Sequence, residues 1–196
     1  SFMSISELQD FIEKEICDCK EKSMLLSLHL KASMMKVSDP IIFGHVLKVF
    51  FKNFIEKNST TLEKINVNFN SGLSNLFEKI NQLDNPTKEK LVNEIELDIE
   101  NGPDLAMVNS EKNITNFHIP SDVIIDASMP AMIKSSGKMW NKNGELRDTK
   151  AIIPDSSYSS IYQATVDFCK ENGQFDPALM GTVQNVGLMA KKAEEY

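Results

Sequence analysis

The stretch LLSLHLKASMMKVSDP, residues 25–40, sets an apolar run directly against two lysines. Met24 to Leu30 is apolar apart from Ser27 and His29, and it reads as a buried strand. The run stops at Lys31, and Lys36 follows after Ala32, Ser33, Met34 and Met35. Asp39-Pro40 then carries a helix-start signature, with aspartate at the N-cap and proline at the first helical position. Ile42, Val46, Val49, Phe50 and Phe54 would line one side of that helix.

Upstream, Ser4 or Ser6 can cap a helix over roughly 5–21, and Glu7 stands at capping-box spacing from Ser4. Leu8, Phe11, Ile12, Ile16 and Cys19 give it an apolar stripe. Downstream, residues 59–101 read as helical pieces, broken at Asn85-Pro86 and closed by Asn101-Gly102-Pro103. The charges there (Lys79, Lys88, Glu89, Lys90, Glu94, Asp98) read as a solvated helix face. Strand signals return at residues 104–109 and at Val123-Ile124-Ile125, where Asp126 and then Pro130 mark a strand end, a turn and a helix start. Asn143-Gly144 predicts a hairpin, and Pro154-Asp155 precedes a helix over roughly 156–172 that Asn172-Gly173 closes. Residues 181–196 read as a loop leading to a helix. Helices alternate with strands, which predicts an α/β class: a mixed sheet with flanking helices and a helical middle section.

Composition narrows the function classes. The chain has 196 residues, 41% hydrophobic and 25% charged, enough for one large domain or two small ones. Net charge is -7 and Arg147 is the one arginine, which argues against a nucleic-acid binder. Cys17, Cys19 and Cys169 are odd in number, so a disulfide framework is not expected and a reducing cytoplasm is. No apolar run approaches membrane-spanning length, so no membrane partner is expected either. The glycosylation triplets at Asn58 and Asn113 are read as chance. The abrupt ends predict a piece of a longer protein.

Three positions can carry chemistry. Lys31 ends a predicted strand, and ligands of open α/β sheets bind beyond the carboxyl ends of strands. A lysine partly desolvated there can act as a base, or can simply snorkel to solvent. Asp126 has the same kind of position; its carboxylate can bind a hard divalent cation, or can cap a turn or helix. Asp122 is the alternative carboxylate. Tyr196 has a phenol that can donate a proton, although the pattern alone does not single it out. Phosphate-binding glycine loops and the nucleophile elbow are absent. His29, His45 and His118 are scattered and form no local metal motif, and Met24, Met34 and Met35 read as core filling.

Four blocks add a resemblance. LLSLHLKASMMKVSDPIIFG, LAMVNSEKNITNFHIPSDVIIDASMPAMIKSSGKMW, DTKAIIPDSSY and NVGLMAKKAEEY resemble, in order and spacing, the bacterial monomeric NADP-dependent isocitrate dehydrogenases. The likeness runs from residue 1 to 196 and is weakest over about 52–103. It implies part of an isocitrate/isopropylmalate dehydrogenase-like domain, the large second domain of a longer and monomeric enzyme. It implies oxidation and decarboxylation of D-isocitrate to 2-oxoglutarate, with hydride passing to NADP and a magnesium or manganese ion as Lewis acid. By the same resemblance Lys31 matches the lysine that handles the hydroxyl proton, Asp126 a metal-binding aspartate, and Tyr196 the tyrosine that protonates the enolate carbon. Lys36 is the fallback for the lysine. The arginines that clamp isocitrate, the partner aspartates and the NADP-gripping residues have no counterpart in these blocks. The chain by itself is therefore expected to be inactive, and apolar surface bared at its cut faces can drive self-association. The competing expectation is a non-catalytic α/β module that binds a metabolite or partner.

Overall fold

The computed structural model describes residues 2–31, 38–121, 123–154, 156–174 and 178, and for Asp126 and residues 156–158 the backbone alone. Lys36 and Tyr196 lie outside the described residues, as does the expected helix before Tyr196. The elements run α1 (Ile5–Glu21), β1 (Leu25–Leu28), α2 (Ser38–Phe50), α3 (Lys52–Lys64), α4 (Gly72–Ile80), α5 (Asn85–Asn101), β2 (Met107–Asn109), β3 (Ile114–Thr115), α6 (Ile125–Lys134), β4 (Lys138–Trp140), β5 (Leu146–Ile152) and α7 (Ser156–Asn172). A mixed sheet of order β1-β5-β4 forms, with β1 and β5 parallel and β5 and β4 antiparallel. The expected α/β class and helical middle section are both present.

β1 organises the molecule because all four of its residues are buried, so both of its backbone edges need partners inside the protein. One edge pairs with β5, from Leu25 opposite Thr149 to Leu28 opposite Ile152. His29 N–H extends that ladder by donating to the Ile152 carbonyl at 2.9 Å. The other edge is covered by three separate segments. Leu26 N–H donates to the Asp104 carbonyl at 2.8 Å, and the Leu26 carbonyl accepts from Ala106 N–H at 2.9 Å. Leu28 is served by a side chain: its N–H donates to Asn116 Oδ1 at 2.6 Å, and its carbonyl accepts from Asn116 Nδ2 at 2.9 Å. Leu30 takes the third segment, donating to the Val123 carbonyl at 3.4 Å and accepting from Ile125 N–H at 3.0 Å.

The helices close over this strand. Of the two candidate caps, Ser4 is the one that caps α1, accepting from Glu7 N–H at 3.4 Å. Ile12 and Cys19 are fully buried on the inner face of α1, while Phe11 is exposed. Lys150 of β5 ties α1 to the sheet through Glu15 at 2.5 Å and through Asp18. Phe117 sits edge-on to Phe43 and Phe50 and joins the segment after β3 to α2. Gly72, at φ +83°, starts α4 against that same segment; a Cβ there would lie 2.1 Å from the His118 carbonyl oxygen. That close approach lets the carbonyls of Phe117 and His118 accept from the N–H groups of Leu73 and Ser74, both at 3.0 Å.

Several expectations are corrected. Val123 to Ile125 is not a strand: Ile124 makes one parallel bridge with Leu30, and α6 begins at Ile125. Pro130 lies inside α6 rather than at its start, because a proline removes a single ladder bond and the helix continues past it. Asp39 is not the N-cap of α2; the helix starts at Ser38, and the Asp39 carboxylate turns into the protein. Glu94 and Asp98 are not part of a solvated face. Glu94 pairs with Lys57 at 2.5 Å and accepts from Asn58 Nδ2 at 2.6 Å, and Asp98 accepts from Phe54 N–H at 3.2 Å. With the Phe54 N–H given to Asp98, the apolar side expected to run from Ile42 to Phe54 is divided between α2 and α3.

Candidate functional site at the end of strand β1

Lys31 follows directly on the bridge between Leu30 and Ile124, and Asp126 stands two residues beyond that bridge on the other segment. The backbones carrying the two residues therefore run side by side at the carboxyl end of β1. Two helices, α2 and α6, start at this same end. The positive ends of their dipoles therefore lie at this end, which favours an anionic ligand.

The tip is held from several sides. Lys31 is half-buried, and its N–H donates to Asp39 Oδ2 at 2.8 Å. Asp39 is fully buried and also accepts from Ser38 Oγ at 3.3 Å. The chain leaving β1 is thus fastened to the start of α2 and, through Leu30, to the start of α6. On α6, the Ile125 carbonyl accepts from the Tyr162 hydroxyl of α7 at 3.1 Å. His29, fully buried, places Nδ1 at 2.6 Å from Ser128 Oγ, and its Nε2 has no hydrogen-bond partner among the described residues. Burial pushes the His29 imidazole down to about 4, so it is neutral at physiological pH.

Of the residues singled out from sequence, the fold brings the backbones of Lys31 and Asp126 together. A groove of about 420 Å³ runs beside this tip between α6 and the β4–β5 hairpin, with Ile124, Ser128, Met132 and Trp140 among its walls; Lys31 does not line it. No group of three metal-ligating side chains occurs among the described residues. The sequence reading missed Asp39, Asn116 and the His29–Ser128 contact. Asp39 has a cap-like Ser-Asp-Pro context that hides its inward turn, and the partners of Asn116 and His29 are 88 and 99 residues away in the chain. The one local clue was polarity: Ser27 and His29 interrupt a run that is otherwise apolar.

A family model described as monomeric isocitrate dehydrogenase matches residues 1–196. The chain is 52% identical over 196 residues to the NADP isocitrate dehydrogenase 2 of Colwellia maris, covering 100% of this chain and 26% of that protein. It is 50% identical over 195 residues to the NADP isocitrate dehydrogenase 2 of Psychrobacter sp. (strain 13A), with coverage of 100% and 26%. Against the NADP isocitrate dehydrogenase of Azotobacter vinelandii it is 51% identical over 196 residues, again with coverage of 100% and 26%. The chain spans about a quarter of the length of the curated relatives it matches.

Proposed function

We infer that this chain, which belongs to the monomeric isocitrate dehydrogenase family, supplies one wall of the site where a longer enzyme oxidises and decarboxylates isocitrate with NADP. The observation that carries the reading is the hydrogen-bonded bridge between Leu30 and Ile124, which sets the Lys31 and Asp126 backbones together at a strand end. Half-burial of Lys31 and two helix starts beside it suit a tricarboxylate substrate.

The Asp126 carboxylate is a hard oxygen donor of the kind magnesium and manganese prefer. This segment would contribute one ligand, and the rest of the full-length protein the others. When bound, the cation supplies Lewis-acid polarisation at the substrate hydroxyl and its neighbouring carboxylate. Lys31 Nζ would accept the hydroxyl proton as hydride leaves for NADP, and the Tyr196 hydroxyl would return a proton to carbon after carbon dioxide departs. The substrate-clamping arginines and the NADP grip would also lie elsewhere in the protein.

Lys31→Met in the full-length protein tests the base. The side chain keeps its length and loses its nitrogen, so kcat should fall by about 10² to 10⁴-fold, with a much smaller change in KM for isocitrate. NADPH production near the unsubstituted rate would end the assignment of Lys31. In the same assay the 196-residue chain alone should produce no NADPH from isocitrate and magnesium.

A further inference from the structure

The hydrogen bond between His29 and Ser128 has a position that packing alone does not explain. His29 stands two residues before Lys31 on the strand, and Ser128 stands two residues after Asp126 on α6. The bond therefore joins the same two segments as the Leu30–Ile124 bridge, one residue back from Leu30 on the first and four residues on from Ile124 on the second. The backbone bridge fixes the point at which α6 leaves the sheet. Tyr162 of α7 holds the Ile125 carbonyl from another side, and among the described residues the His29–Ser128 bond is the side-chain contact that ties the first turn of α6 to the β1 segment. Ser128 comes three residues after Ile125, close to one helical turn, so both contacts lie on the face of α6 that meets β1, and the second adds a directional bond on that face one turn along.

His29 is also a costly choice for a core position. It is fully buried, and one ring nitrogen has no partner among the described residues. An apolar side chain there would avoid the desolvation of that nitrogen. What the imidazole adds is a directional contact to α6 at 2.6 Å.

We propose that His29 and Ser128 are a positioning pair, whose hydrogen bond holds the first turn of α6, and with it Asp126, in register with the strand end that carries Lys31. The proposal rests on the reading of Asp126 as a metal ligand. Groups hydrogen-bonded directly to a metal ligand commonly change metal affinity by about 10- to 100-fold when removed, and a contact that acts through the backbone, as this one does, belongs at the low end of that range.

The test is Mn²⁺ binding to the full-length protein without substrate or NADP, read from the electron paramagnetic resonance of free Mn²⁺, with Tm measured in parallel. Ser128→Ala should weaken binding by about 10-fold, and Ser128→Thr, which keeps the hydroxyl, should restore it. His29→Asn, which keeps a polar atom near the place of Nδ1, should bind better than His29→Leu. The His29→Leu/Ser128→Ala double variant should bind no more weakly than the worse single one, because both remove one contact. Loss of Mn²⁺ binding in Asp126→Asn together with unchanged binding in Ser128→Ala would overturn the positioning pair and leave the metal assignment standing. Unchanged binding in Asp126→Asn would overturn the metal reading itself, and the pair with it. Weakened binding in Ser128→Ala that Ser128→Thr fails to restore, with Tm lowered in both, would reduce the contact to a packing role and refute the proposal. If His29→Leu does not fold, the three Ser128 and Asp126 variants decide the matter alone.

Discussion

The surroundings of β1 and the helical section α3–α5 are built by opposite means. Around β1 the buried polar residues gather: Ser27, His29, Asp39, Thr115, Asn116 and Thr149 are all buried there. In α3–α5 Asn58 is the one buried polar residue described, and the section is held by Leu62, Leu73, Leu76, Ile80, Leu91 and Ile95. Burying apolar side chains stabilises wherever they meet, with little demand on direction. Buried polar groups stabilise only in a fixed geometry and cost free energy outside it. The β1 region thus trades tolerance for definition, and it is the region that holds Lys31 and Asp126.

One pair of substitutions should expose that contrast most strongly, because it makes the same chemical change in both regions. Asn116→Ala removes the partner of both the N–H and the carbonyl of Leu28, two buried backbone groups. The expected loss is about 2–5 kcal/mol of unfolding free energy in the full-length protein, by denaturant titration. Asn58→Ala deletes contacts to the Phe54 carbonyl at 3.0 Å and to Glu94, where Glu94 keeps Lys57 as partner. Its cost should be nearer 1 kcal/mol. Equal losses at the two sites would dissolve the distinction.

Acid should find the β1 region next, through His29. Its folded value of about 4 lies below the ordinary 6.5, so the unfolded chain binds the proton first as pH falls. Stability is then unaffected by His29 above about 6.5, declines as pH drops through the interval, and levels off below about 4, for a total near 3 kcal/mol. The check is unfolding free energy against pH for the unsubstituted protein and His29→Asn. The slope between those values should be shallower in the variant, and parallel curves would show that His29 does not titrate there.

How far the sequence could be read follows the same division. Where local chemistry decides, the reading holds: Ser4, one of the two candidate caps, caps α1, the Asn85-Pro86 break opens α5, Gly102 follows its end, and Gly144 at φ +75° turns the hairpin. The class and the helical middle follow from such signals. Where a partner is distant, the reading fails. Val123-Ile124-Ile125 is β-branched and apolar and reads as a strand, yet one bridge to Leu30 is all the sheet it forms, because Ile125 N–H already serves the Leu30 carbonyl as α6 begins. Asp39 and Asn116 bond backbone groups of Lys31 and Leu28 that local patterns do not connect to them. The polar half of the candidate site is therefore the half that sequence periodicity hides; the pattern singled out Asp126 only as either a cation ligand or a cap, and the resemblance, rather than the pattern, singled out Tyr196.

The smallest expected effect belongs to Asp98, the carboxylate at the α3–α5 contact that sequence reading assigned to solvent. Its oxygen accepts from Phe54 N–H at the third position of α3, the role a local N-cap residue usually fills, and Phe51 at the cap position makes no side-chain bond. The half-buried setting raises the Asp98 carboxyl above the ordinary value, chiefly through desolvation, so part of what the contact gains is spent on burying the acid. Asp98→Ala should therefore cost about 1 kcal/mol, in the range of a lost helix cap and below the loss at Asn116. Asp98→Asn keeps an acceptor oxygen without the charge and should cost less than Asp98→Ala. Neither change should alter Mn²⁺ affinity or kcat in the full-length protein, since the hydrogen bonds described for Asp98 run to Phe54 and Gly102, away from the segments that meet at the end of β1. A fall in Mn²⁺ affinity in Asp98→Asn comparable to that expected for Ser128→Ala would mean that the helical section and the strand tip form one mechanical unit, and the contrast between them would no longer stand.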